Sequence, residues 1–164
     1  MNLPVGEIVE QGLDLSELAV RELLESFVGR GFSGYIVNTV SGHSGVEEGL
    51  LLFRQGVLAG SFFEYMSNGS TFFGDYSLQH VFNSFAAEKG VVDIVSLSMQ
   101  QVDLITAFNE KLKVSVEFSK KTFSKYFVKT YSTEFALQAM DSDKESKPDT
   151  KSIFKKLGLA DLGE

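Results

Sequence analysis

The spacing of apolar residues changes period several times along the chain. Leu15, Leu18, Ala19, Leu23, Phe27 and Val28 recur at helical spacing, with Glu17, Arg21, Glu22 and Glu25 largely off that face. Asp14 or Ser16 can cap this helix, because either side-chain oxygen can accept from a free first-turn N–H. Gly29 and Gly31 end it. Tyr35 to Val40, Gly49 to Phe53 and Val57 to Met66 then read as strands, rich in β-branched and aromatic residues. Arg54-Gln55-Gly56 separates the last two, and a glycine there suits the positive φ of a tight hairpin. Ser67-Asn68-Gly69-Ser70 marks a further turn.

Helical spacing returns over Ser77 to Glu88, where Leu78, Val81, Phe82, Phe85 and Ala86 form a stripe closed by Gly90. Val91 to Leu97 is a short strand. Ser98 and Gln101 have the spacing of a capping box and open a helix with Val102, Leu104, Ile105 and Phe108 as its apolar positions, in imperfect period. Leu112, Val114, Val116 and Phe118 alternate with Lys113, Ser115 and Glu117, which predicts a strand. Phe123 to Met140 predicts a helix. Residues 141–150 are polar and charged, a composition that buries too little surface to fold, and read as a linker. Residues 151–164 form a short amphipathic segment in which Ile153, Phe154, Leu157, Leu159 and Leu162 alternate with Lys155 and Lys156. Together these predict one α+β domain over residues 1–140. It holds an antiparallel sheet, a meander of about three strands plus additional strands, packed with helices.

Composition narrows the chemistry. The 164 residues suit one domain that can bury a core without staples, and no cysteine is present. Disulfides and cysteine-ligated zinc are thereby excluded. No basic, apolar leader opens the sequence and no run approaches the ~20 apolar residues of a spanning helix, so a cytoplasmic protein is expected. Residues 1–110 carry 4 basic and 14 acidic side chains, whereas residues 111–130 carry 6 lysines and one acid. The acidic body opposes nucleic-acid phosphates. The lysine segment is the local exception: Lys120, Lys121 and Lys125 interleave with Phe118, Phe123, Tyr126 and Phe127. It is either an anionic-surface binder, for RNA or membrane, or the solvated face of a strand–helix pair.

Few motifs carry catalytic chemistry. Gly29-Arg30-Gly31-Phe32-Ser33-Gly34 fits GxGxxG, but a helix precedes it and a strand follows, the reverse of a dinucleotide site. A helix cap and turn accounts for it. His43, Glu47 and Glu48 lie close in sequence, so a small-ligand sensor or an enzyme with a pocket there, holding a metal or a general acid/base pair, is the second reading beside an exposed loop histidine and a solvated acid pair. Successive strand side chains face opposite ways, so one residue of Phe62-Phe63 and one of Phe72-Phe73 either faces a partner or lies under helices. The tail residues Ile153 to Leu162 are either a docking helix on a tether or a segment packed on its own domain.

The hairpin Glu48-Gly49-Leu50-Leu51-Leu52-Phe53-Arg54-Gln55-Gly56-Val57-Leu58-Ala59-Gly60 resembles that of PATAN-type domains or their uncharacterised archaeal relatives. The helix ending at Gly29 to Gly34, the strand Tyr35 to Val40, and Gly90-Val91-Val92-Asp93-Ile94 after a helix extend the likeness to a core of about residues 14–110. The resemblance implies a non-catalytic module of prokaryotic signalling, found with response-regulator, motility or small-GTPase systems. It brings no catalytic residue, and no metal or cofactor is expected. The expected function is an adaptor or regulatory interaction module with a protein partner, with self-association as a further possibility. Nucleic acid and membrane are disfavoured as partners.

Overall fold

The computed structural model describes residues 3–146. Six strands form one antiparallel sheet in the order β1-β6-β2-β3-β4-β5. They are β1 (Glu7–Asp14), β2 (Gly34–Gly42), β3 (Gly45–Arg54), β4 (Val57–Tyr65), β5 (Ser70–Phe73) and β6 (Gly90–Ser96). The described helices are α1 (Val20–Gly29), α2 (Asp75–Ser84), α3 (Met99–Phe108), α4 (Lys120–Tyr126) and α5 (Glu134–Ser146). This is the α+β architecture that the periodicities predict.

The apolar run Leu50 to Phe53 explains the layering. All four side chains are buried, although strand residues alternate between faces. Leu51 and Phe53 point into a large first core with Leu24 and Phe27 of α1, Leu78 and Phe82 of α2, Phe123 of α4 and Ala136 of α5. Leu50 and Leu52 point the other way, into a smaller second core with Val102 and Ile105 of α3 and Leu112. Phe62 and Phe63 divide likewise, one into each core, and both are buried. Neither is on the surface, so helices cover both, and the partner-facing alternative for this pair does not hold. The β3–β4 turn places Gln55 at φ 49° and Gly56 at φ 78°, the two positive angles a right-twisted two-residue hairpin needs. Gly56 donates to Phe32 O at 2.7 Å, which locks the turn against the end of α1.

Several boundaries differ from the sequence reading. Residues 7–14 form an edge strand. Asp14 caps only a 3-10 turn, Leu15–Glu17, and α1 starts at Val20. The buried face of α1 is therefore Val20, Leu24 and Phe27 rather than one running through Leu18 and Leu23. The capping box of Ser98 and Gln101 is present. Residues 112–118 are not a strand. Strand β5 is four residues long and leaves the Gly60 end of β4 unpaired on that side. The chain crosses this free edge, with Val114 N donating to Ala59 O at 3.3 Å. Leu112 thus enters the second core, while Phe118 enters the first with Val114 and Val116 packed against it. The alternation marks a crossing from one face to the other. Asp75 Oδ1 holds the crossing through Ser115 N at 2.9 Å. The expected helix over 123–140 is two helices, parted at residues 127–133, where Asn83 exchanges two hydrogen bonds with the Ser132 backbone. Helix α5 runs on to Ser146, so residues 141–146 are not a linker.

Candidate functional site

Helices α1, α2, α4 and α5 pack on the first face of the sheet, and the second face is covered only in part. Helix α3 and the Glu110–Leu112 turn lie over the Leu50, Leu52 and Val95 end. Beyond them the cross-strand row Val91–Thr39–Glu48–Glu64–Thr71 is fixed by the register of five strands and, among the described residues, carries no helix. Between this row and the segment leading into β1 lies a groove of about 410 Å³. Tyr35, Val37 and Val95 form its floor, Leu3 and Ile8 one wall, and Glu48 and Asp93 its acidic margin. A second depression of about 280 Å³ adjoins it through Pro4 and is lined by Leu104, Ile105 and Phe108 of α3. Gln101 Nε2 donates to Val5 O at 3.3 Å and ties the leading segment to α3. Val5 is 93% exposed, Phe108 83% and Leu104 56%, so large apolar side chains rim both depressions. Contiguous exposed apolar surface of this kind is a mark of interaction sites, unlike single exposed residues.

Charge on this face is acidic. Glu48 and Glu64 stand directly opposite each other on β3 and β4. Burial, then the neighbouring Glu64, raises the Glu48 carboxyl above its ordinary value. Burial, then Asp93, likewise raises the Tyr35 hydroxyl. Asp93 Oδ1 accepts from Gly12 N at 2.7 Å, which fastens a bulged part of β1.

The structure separates the residues that adjacency in sequence suggested as a pocket. Glu47 points into the first core and Glu48 lies on the second face, one residue apart on β3. His43 is exposed, and its backbone N–H donates to the Tyr131 hydroxyl at 3.0 Å. Tyr131 in turn donates to Glu47 Oε1 at 2.6 Å, and Glu47 Oε2 meets no donor. Burial raises the Glu47 carboxyl and pushes the Tyr131 hydroxyl up to about 12. Nearby, the Tyr65 hydroxyl lies 2.8 Å from His80 Nδ1. Burial holds His80 down to about 4 and raises Tyr65, so a neutral imidazole and a neutral phenol share this hydrogen bond. These groups tie helix α2 and the 127–133 segment to the sheet. Among the described residues no three His, Cys, Asp or Glu side chains gather as metal ligands.

The other expected sites fall as follows. Lys121 and Lys125 are exposed on α4, which Lys120 opens. Their aromatic neighbours face inward: Phe118 and Phe123 are buried, with Tyr126 and Phe127 packed against the first core. Lys121 and Lys125 are thus on the solvent side of a core-packed helix. Gly29 to Gly34 is a helix end and turn, with Gly31 at φ 67° and Phe32 N donating to Phe27 O at 3.0 Å. Ile153, Phe154, Lys155, Lys156, Leu157, Leu159 and Leu162 lie outside the described residues. The groove residues Leu3, Ile8, Tyr35 and Val37 did not stand out in sequence. The visible signal was the imperfect period of α3, where Leu104 and Phe108 are apolar residues surplus to a single buried stripe.

Residues 1–109 match the model of a family described as an uncharacterized protein conserved in archaea (DUF2226). The chain belongs to this family. The match covers the whole sheet with α1, α2 and α3, and every residue lining the two depressions lies within it. No curated protein and no solved structure matches the chain. Among the described residues no helix is long and apolar enough to cross a membrane.

Proposed function

We propose that this domain is a non-catalytic cytoplasmic adaptor or regulatory module that binds a protein partner across the uncovered part of the second face. One observation carries the reading: the groove and the α3 depression adjoin, and exposed Val5, Leu104 and Phe108 rim them. Interface centres are built from such apolar anchors, with polar groups around them. The resemblance of the Glu48 to Gly60 hairpin to PATAN-type domains, which are signalling modules, supports the same class.

The test is capture from native lysate with the full chain, with Leu104→Glu/Phe108→Glu, and with Lys121→Glu/Lys125→Glu. Both pairs are exposed, so neither change should disturb the core. A partner lost only with the α3 variant is the expected result. Loss only with the α4 variant would move the function to an anionic surface recognised by the lysines.

A further inference from the structure

The uncovered row holds an arrangement that costs stability in the free protein. Side chains directly opposite on antiparallel strands have Cβ atoms about 4.5–5.5 Å apart, and like charges there repel. Glu48 and Glu64 occupy such a pair, and Asp93 lines the groove together with Glu48, one row away. Among the described residues no lysine or arginine forms an ion pair with any of the three. Arg54, the one basic side chain of β3, is engaged with Asp103 of α3 at 2.6 Å. Lys111 lies over the Phe73 ring instead. Beside the carboxylates runs the apolar floor of Tyr35, Val37 and Val95. An apolar trough ending at carboxylates that no described lysine or arginine pairs with matches a side chain with an apolar stem and a cationic head.

We infer that the groove binds a basic segment of the protein partner, with a lysine or arginine stem along Val37 and its charged head at Glu48, where the neighbouring Glu64 and Asp93 add to the negative field. This deepens the adaptor reading above and rests on it. An acidic segment would bring a like charge to the carboxylates, which costs affinity and selects against it. Glu7 and Glu10, exposed on the edge strand β1, extend the negative field and favour encounter with a cationic partner.

The experiment uses the full chain and a fluorescein-labelled, end-capped peptide repeating Gly-Leu-Lys-Ser, read by anisotropy at low salt. A counterpart peptide has glutamate in place of lysine. Glu48→Gln/Glu64→Gln is compared with Glu17→Gln/Glu22→Gln, which removes two exposed carboxylates from the 3-10 turn and α1. The expected result is a loss of roughly 5- to 10-fold for the groove variant, as for two partly exposed ion pairs. The control should change by less than about twofold, and the glutamate peptide should not bind. The groove variant should also melt no lower than the parent, because a repulsion has been removed. Equal losses in both variants would reduce the binding to overall charge and overturn the inference, as would unchanged binding or a lower melting point. Self-association by sedimentation that Leu104→Glu abolishes would give the face to a second copy and overturn it too. If the lysate partner depends on Leu104 and Phe108 but not on Glu48 and Glu64, the adaptor reading stands and the basic class fails. Dependence on neither pair removes both.

Discussion

Replacing Glu47 by glutamine isolates the effect of one buried carboxylate. Glu47 is 1% exposed, with Oε1 accepting from Tyr131 and Oε2 meeting no donor. Burial raises its folded value above the ordinary 4.5, and the Tyr131 and His43 contacts offset this only in part. The unfolded chain restores the ordinary value. Between the two values the folded state therefore binds more protons than the unfolded one, and stability falls as pH rises through the raised value. This is the reverse of a salt-bridged carboxylate. Each pH unit between the two values amounts to about 1.36 kcal/mol. Glutamine keeps an acceptor for Tyr131 and carries no charge, but its amide nitrogen lacks an acceptor. In acid, where Glu47 is neutral, the variant should be less stable by about 1 kcal/mol. As pH rises the difference should shrink, by at most about 1.4 kcal/mol per unit. Urea unfolding of both chains from about pH 4 to pH 8 reads this directly, because other groups cancel in the difference. A difference that does not move with pH, or that grows against the variant, would refute the reasoning.

Other consequences follow from the same packing. The His80 ring should titrate at about 4 by NMR, so its share of stability is present above the ordinary 6.5 and lost as pH falls through that interval, up to about 3 kcal/mol; a ring titrating near 6.5 would contradict its burial. Leu51→Ala removes a fully buried side chain of the central strand and should cost about 2–5 kcal/mol in urea unfolding. Gly56→Ala should destabilise by more than about 1 kcal/mol, since φ is 78° and a Cβ would lie 2.6 Å from Val28 O. Gln55→Gly, at φ 49° in the same turn, should instead gain up to about 1 kcal/mol, and thermal melts of the two variants distinguish the cases.

Legibility in the sequence followed the strength of the local signal. The β3–β4 hairpin was plain, because Leu50 to Phe53 is continuous and Gln55-Gly56 is turn chemistry. The α3 capping box was equally plain. Strand β1 was not, since its EIVEQGLD sequence is exposed at nearly every position and shows little apolar alternation. An edge strand held by β6 on one side needs no such pattern, and its Glu7 and Glu10 are the charges that deter edge pairing. Residues 112–118 alternate as a strand does, but the two ends of that alternation enter different cores. Periodicity reports which residues are buried, not which core they enter. The candidate surface was hidden for a related reason. Glu47 and Glu48 are adjacent in sequence and on opposite faces in space, whereas Glu48, Asp93 and Tyr35 meet only through the pairing of three strands.

Hydrogen–deuterium exchange on the full chain, free and with its captured partner, locates the surface that the partner covers. Added protection is expected in residues 3–14, whose edge amides lack a second strand, and along α3 from Met99 to Phe108, with none in α4 from Lys120 to Tyr126. Protection confined to α4 or to residues beyond Ser146, with residues 3–14 and α3 unchanged, would contradict it.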